Sequence, residues 1–156
     1  MRKVLMTVFM LLTLVVAGCG ADASNSGSVQ QNKANAENSG RKVIMQFAEG
    51  QAVLILNSSK AADNLYKMLP LQLSFKDFNH TEKIAYPPRP VHEGLRPEGH
   101  KPAKGDLCLY APWGNLCIFY REYSMSADLF YLGRIEKGME LLENQEQDFT
   151  VKLIKG

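Results

Sequence analysis

Alternating apolar and polar residues mark the start of the folded part of the chain. From Arg41 to Phe47 every second side chain is apolar, and Gln51 to Leu56 forms a second apolar run. The intervening Ala48-Glu49-Gly50 is short and contains glycine, which suits a tight turn between antiparallel strands. The pattern therefore predicts a β-hairpin.

A helix and a third strand follow the hairpin. Asn57-Ser58-Ser59 offers capping side chains for a helix over Lys60 to Leu69, in which alanine, leucine and methionine repeat at helical spacing. Pro70 ends this helix, because a residue that precedes proline is disfavoured in the helical conformation. Leu71 to Phe75 then alternates between apolar and polar, which is typical of a half-buried strand.

A proline-rich segment separates this region from the remaining strands. Asn79 to Lys104 contains most of the prolines and all of the histidines, and within it Glu82 to Tyr86 alone has the pattern of a strand. A loop longer than about 12–15 residues inside a compact domain is usually functional or mobile. We therefore expect the loop after Tyr86 to be one or the other.

The last third of the chain predicts a series of short strands. The expected elements are strands at Leu107–Tyr110, Asn115–Tyr120, Phe130–Ile135 and Phe149–Leu153, a turn at Ala111–Gly114 and a short helix at Gly138–Asn144. Seven or eight short strands with one or two short helices favour a mainly β fold, either a small barrel or a half-barrel, with mostly antiparallel strands.

The N-terminus has the pattern of an export signal. Arg2 and Lys3 precede an uncharged run from Val4 to Val16, which is shorter than the approximately 20 residues that span a bilayer. The following Val16-Ala17-Gly18-Cys19 resembles the lipobox of bacterial lipoproteins. This predicts a signal peptide over residues 1–18 and lipidation of Cys19, with an ordinary cleaved signal as the alternative.

The polar stretch after Cys19 predicts a tether. Residues 19–40 contain too little apolar surface to offset the entropy of ordering, so we expect a flexible linker ahead of a domain over residues 41–156. The protein is then held by lipid on the extracytoplasmic side of the membrane, in the cell envelope.

The charge balance is uninformative about partners once the signal is removed. The whole chain has 18 basic and 16 acidic residues, and Arg2 and Lys3 account for the excess. A neutral mature chain gives no electrostatic reason to expect nucleic acid as a partner. The sequence does not predict the oligomeric state.

The order of the motifs resembles the small bacterial cyclophilin-like domains over residues 42–156. The matching segments are Leu69-Pro70-Leu71-Gln72-Leu73, Phe78-Asn79 with Glu82-Lys83, Gly105-Asp106-Leu107-Cys108-Leu109-Tyr110, Leu116-Cys117-Ile118-Phe119-Tyr120 and Leu132-Gly133-Arg134-Ile135. This resemblance implies a closed or nearly closed cyclophilin-like β-barrel with one or two short helices. A fold does not by itself imply a function.

The catalytic pattern of the cyclophilins is not found. In that family an arginine donates toward the prolyl nitrogen, beside a glutamine and aromatic residues, as the X-Pro bond rotates. No such pair follows Arg89, Arg96, Arg121 or Arg134, and Phe47 with Gln51, which approximate one of the spacings, lie across the first predicted hairpin turn. We therefore expect binding of a peptide or small ligand without catalysis. A prolyl isomerase with a rearranged site and a purely structural envelope lipoprotein are the alternatives.

The proline-rich loop and the next turn offer candidate ligand contacts. Arginine provides a fixed fork of donors, and tryptophan a flat apolar face. The candidates are Tyr86, Arg89, His92, Arg96 and Trp113. The alternative is a solvated loop that packs on the barrel through Tyr86 and Leu95. The histidines match no metal-ligand spacing, so no metal or cofactor is expected.

Two cysteines are expected to lie opposite one another. If Tyr110 pairs with Asn115 across the turn, Cys108 faces Cys117. Cβ atoms of such cross-strand neighbours are about 4.5–5.5 Å apart, which is close to the range of a disulfide. A disulfide in an oxidising compartment and a pair of buried thiols both fit this arrangement.

Overall fold

The computed structural model describes residues 40–156. The predicted signal peptide (1–18), the lipidation site Cys19 and all but the last residue of the tether (19–40) lie outside the described residues. Within residues 40–156, no helix is long and apolar enough to cross a membrane.

Eight strands and two helices make up the domain. In chain order they are β1 (Arg41–Gln46), β2 (Gln51–Leu56), α1 (Lys60–Met68), β3 (Leu71–Phe78), β4 (Glu82–Ala85), β5 (Asp106–Tyr110), β6 (Asn115–Phe119), β7 (Leu129–Lys137), α2 (Glu140–Glu143) and β8 (Phe149–Lys155). The Ser59 hydroxyl accepts a hydrogen bond from the Ala62 amide at 3.2 Å and so caps α1, as the sequence predicts. The second helix is shorter than its predicted range.

The strands form a closed antiparallel barrel. Their order around it is β1-β2-β7-β5-β6-β4-β3-β8, and β8 pairs with β1 to close the ring. The mainly β prediction is therefore confirmed, and the barrel rather than the half-barrel is the fold. Closure leaves no free sheet edge, which removes the usual route to edge-to-edge association.

The barrel interior is a continuous apolar core to which every strand contributes. Its largest wholly buried side chains include Met45, Phe75 and Leu116. Helix α1 packs against this core through Leu65, and α2 through Leu142. Complete burial of each such side chain contributes about 1.5–3 kcal/mol.

A second apolar cluster covers the opposite face of four neighbouring strands. Ile84, Cys108, Cys117, Phe119 and Leu129 form it, from β4, β5, β6 and β7. Because successive side chains of a strand point to opposite faces, these residues lie on the outer wall of the barrel. This part of the outer wall carries a groove.

Candidate functional site

The outer groove, as we call it, is a cavity of about 230 Å³ on the outer wall. Residues from β3 to β6, from the turn between β5 and β6 and from the segment after β6 line it. The seven that carry the argument below are Phe78, Glu82, Tyr110, Trp113, Asn115, Phe119 and Tyr123. Concave sites with apolar walls and a few polar groups are the usual form of small-ligand sites.

Aromatic rings form the walls of the outer groove. Trp113 packs edge-to-face against Phe78 and Tyr110, with ring centroids 5.6 and 5.5 Å apart. Tyr123 packs against Phe119 at 6.2 Å. Trp113 is 52% exposed and Tyr123 is 48% exposed, although both side chains are large and apolar over most of their surface. Exposed aromatic surface gathered in one place indicates a binding site.

Glu82 places a half-buried carboxyl group in this aromatic groove. Its Oε2 atom is buried and has no hydrogen-bond partner in the described part of the chain. Burial raises the pKa of Glu82, and a hydrogen bond with the Cys117 thiol opposes this effect in part. An ionised carboxylate here therefore lacks the pairing that buried charges normally have.

Asn115 adds a second polar oxygen to the groove. The side chain is buried, and its Nδ2 donates to the Cys117 sulfur at 3.1 Å. Its Oδ1 has no partner among the described residues. Buried polar atoms nearly always have partners, and these two oxygens have none among the described residues.

No positive side chain balances Glu82 within the groove. None of the described residues that line it is lysine, arginine or histidine. Lys83, although next in sequence, points to the other face of β4, where its Nζ contacts Asp77 Oδ1 at 2.8 Å and the Gln145 carbonyl at 2.7 Å. The groove is therefore an apolar site with one acidic group.

The predicted ligand residues do not come together in one cavity. Trp113 lines the outer groove, whereas Arg96 lines a separate cavity of about 240 Å³ beside α1 and β7. His92 packs against Phe130, with ring centroids 5.7 Å apart. Tyr86 and Arg89 are exposed at the start of the proline-rich loop.

The path of the proline-rich loop explains this separation. Val91 is completely buried in the core, and its carbonyl accepts a hydrogen bond from Asn64 of α1 at 3.0 Å. Leu95 also packs against the core, as the alternative interpretation of the loop expects, but Tyr86 is 54% exposed. The loop therefore packs against α1, and Arg96 lies away from Trp113 as a result.

Cys108 and Cys117 are directly opposite in β5 and β6, as predicted. Both are buried free thiols in this structure, and burial raises the pKa of each. A thiol with a raised pKa carries little reactive thiolate, which argues against a redox-catalytic role. The disulfide between them stays a prediction.

Mass spectrometry checks that disulfide. If the chain is exported to an oxidising compartment, we expect the unreduced chain to be lighter than the reduced chain by the mass of two hydrogen atoms. A Cys117→Ser variant provides the control, because it cannot form the pair and should show no difference. Equal masses for the wild-type chain would contradict the disulfide and leave two buried thiols.

Comparison with known proteins identifies the family. The solution structure of a hypothetical protein from Archaeoglobus fulgidus has a similar fold, with a TM-score of 0.59 and 14% identity over 75% of this chain and 95% of that one. No curated protein matches the chain. The family model described as Cyclophilin-like family matches residues 45–154, which is most of the sequence and nearly all of the barrel. The chain therefore belongs to the Cyclophilin-like family.

Proposed function

We propose that this protein is a binding module, held by lipid on the extracytoplasmic side of the membrane, whose outer groove takes a peptide segment or a small molecule without catalysis. The outer groove is the observation that carries the proposal. Its aromatic walls can bury the apolar part of a ligand, and its two unpartnered oxygens can orient a donor group.

The membrane anchor in this proposal comes from the sequence. The charged start, the short apolar run and the cysteine at position 19 together favour lipid attachment. A flexible chain over residues 19–40 would hold the barrel away from the membrane by a root-mean-square distance on the order of 25 Å. The outer groove would then be open to ligands in the envelope.

The composition of the outer groove supports binding over catalysis. Lowering the barrier to X-Pro rotation needs a donor directed at the prolyl nitrogen, and cyclophilins use an arginine for this step. The described lining of the groove includes no arginine. A prolyl isomerase with a rearranged site remains the alternative, with Arg89 the arginine to test.

A proline-isomerisation assay distinguishes the two functions. We expect the purified full chain to give no acceleration of X-Pro isomerisation above the uncatalysed rate, because no groove residue supplies the cationic donor. The Arg89→Ala variant is the control and should behave identically. Acceleration by the wild-type chain that Arg89→Ala abolishes would overturn the non-catalytic proposal.

Intrinsic fluorescence tests binding directly, because Trp113 is the only tryptophan of the chain and lines the outer groove. The probes are pentylammonium, pentanol, pentanoate and a capped lysine tripeptide. We expect at least one to change the Trp113 emission in a saturable way and to raise the melting temperature, as any ligand of the native state must.

Variants at the two cavities locate the bound probe. Arg96→Ala, in the separate cavity, should leave the fluorescence titration unchanged, whereas Phe78→Leu should weaken it. No saturable change with any of the four probes would contradict the proposed function. Loss of binding in Arg96→Ala alone would move the site to the other cavity.

A further inference from the structure

We infer that the outer groove is selective for a primary alkylammonium group, held against the Glu82 carboxylate between two pairs of aromatic rings. The inference rests on the proposed binding function and names its ligand class. The three observations behind it are the position of Glu82 in the sheet, the missing counter-ion and the number of free acceptors.

The sheet register places Glu82 between two aromatic residues. Glu82 pairs with Phe78 of β3 on one side and with Phe119 of β6 on the other. Each of these rings packs against an exposed aromatic residue from a neighbouring turn or segment: Trp113 beside Phe78, and Tyr123 beside Phe119. Aromatic faces attract cations through their quadrupole, so the carboxylate and both ring pairs favour the same charge.

The charge of Glu82 has no counter-ion in the described part of the chain. No described lysine, arginine or histidine forms an ion pair with it, and the other titratable side chains that line the groove are two phenols and one thiol: Tyr110, Tyr123 and Cys117. The nearest lysine in sequence, Lys83, is engaged by Asp77 on the inner face. A cationic ligand would supply the missing partner.

The free acceptors favour a primary ammonium over a quaternary one. Glu82 Oε2 and Asn115 Oδ1 both lack a donor, and both residues line the groove. A primary ammonium has three N–H groups that can donate to such oxygens, whereas a quaternary ammonium has none. The alkyl stem would lie along the aromatic walls, as lysine stems lie along apolar surfaces.

Glu82 should also reduce the stability of the empty protein. Because burial raises its folded pKa, the native state holds the Glu82 proton more tightly than the unfolded chain does, and stability falls as the pH rises through that pKa. The neutral Glu82→Gln variant avoids this loss. We expect it to melt at a higher temperature than the wild-type chain at pH 8 without ligand. A lower melting temperature would instead show that Glu82 has a structural role.

Three five-carbon probes, pentylammonium, pentanol and pentanoate, test the selectivity. Titrations followed by Trp113 fluorescence should give pentylammonium an affinity at least about tenfold above that of pentanol, the gain expected from a charge-assisted hydrogen bond, with pentanoate weakest. Glu82→Gln should remove this preference while it keeps the binding of pentanol. Glu49→Gln, the same change at an exposed turn residue, is the matched control and should keep the preference.

The outcomes separate the inference from the proposed function. Binding of pentanol as tight as that of pentylammonium, or a preference that survives in Glu82→Gln, would overturn the inference and leave the binding function standing. No binding of any probe would overturn both. Tetramethylammonium should bind more weakly than pentylammonium, and equal or tighter binding would refute the primary-amine assignment.

The capped lysine tripeptide distinguishes the source of the ammonium group. Tighter binding of the tripeptide than of pentylammonium would support a lysine side chain of a peptide ligand, and the reverse order would support a free amine. In either case the preference over the neutral probe must disappear in Glu82→Gln. If it persists, the carboxylate is not the recognition group and the inference fails.

Discussion

Replacing Asp77 with asparagine should lower the free energy of unfolding by about 3–5 kcal/mol, because the change leaves a buried lysine charge without its counter-ion. Lys83 is only 3% exposed, and its Nζ lies 2.8 Å from Asp77 Oδ1. The Tyr120 hydroxyl also donates to this oxygen, at 2.7 Å. The Asp77 carboxylate thus neutralises the Lys83 ammonium group and also accepts a hydrogen bond from the Tyr120 hydroxyl.

The Asp77–Lys83 pair also positions the outer groove. Asp77 and Lys83 are register partners in β3 and β4, immediately beside the Phe78–Glu82 pair. Neighbouring residues of a strand point to opposite faces of the sheet. The ion pair therefore joins β3 to β4 on the inner face, directly behind the groove on the outer face. The Asp77→Asn variant should therefore bind groove ligands more weakly as well as unfold more easily.

Chemical denaturation measures the loss of stability. Glu143→Gln is the control, since it makes the same kind of change in an exposed pair, where Glu143 Oε2 lies 2.6 Å from Lys104 Nζ. Exposed ion pairs contribute only about 0.2–1 kcal/mol, so this variant should be nearly as stable as the wild-type chain. A loss in Asp77→Asn as small as that in Glu143→Gln would contradict the assigned role.

Acid titration gives an independent check on Asp77. Burial alone would raise its pKa, but the hydrogen bonds from Lys83 and Tyr120 outweigh burial and hold the pKa below its usual value. The contribution of Asp77 to the free energy of unfolding is therefore complete above its pKa in the unfolded chain, about 3.9. This contribution is lost as the pH falls through the lower pKa of the folded state. The wild-type chain should lose this stability in acid, and Asp77→Asn should lack this component of the acid response.

Local patterns explain why the strands and two of their pairings could be predicted. The hairpin of β1 and β2 follows from the alternation in β1, the apolar run of β2 and the short turn between them. The pairing of Cys108 with Cys117 follows from the turn at residues 111–114. Closure of the barrel depends on pairings that are distant in sequence, such as β2 with β7. No local pattern encodes these, so alternation alone does not decide between a barrel and a half-barrel. The closed barrel is implied only by the family resemblance, which the structure confirms.

Most of the outer groove cannot be predicted from the sequence, for a related reason. Strands β5 and β6 are apolar on both faces, so alternation does not show which side chains face outward. Trp113 can be predicted as a candidate because it is an aromatic residue in a predicted turn. In the sequence Glu82 stands out only as part of a family motif, since nothing there shows that one of its carboxyl oxygens is buried without a partner.

The placement of Arg96 shows the limit of grouping residues by a shared loop. Val91, five residues earlier in the same loop, is buried and is joined to α1 by a hydrogen bond, and Arg96 and Trp113 line different cavities. A single valine in a proline-rich stretch carries no periodic signal that would predict this anchor. Residues close in sequence were therefore a poor guide to a common site.

Gly133→Ala should destabilise the barrel by about 3 kcal/mol, through overpacking against backbone that cannot easily move. Gly133 lies in β7, where its register partners are Leu56 of β2 and Leu107 of β5. A Cβ atom at this position would lie 2.1 Å from the Ile55 carbonyl oxygen and 2.7 Å from the Leu56 Cα. Both contacts are with backbone, so no side-chain rotation relieves them.

Comparison with Gly94→Ala isolates this steric effect. Gly94 has a φ of +71° but no atom within 4 Å of an added Cβ, so alanine there carries only the conformational penalty of about 1–2 kcal/mol. Thermal or chemical unfolding should therefore rank Gly133→Ala clearly below Gly94→Ala in stability. Equal losses would show that β2 can move away from β7, and the Leu132-Gly133-Arg134-Ile135 motif would then need an explanation other than close strand approach.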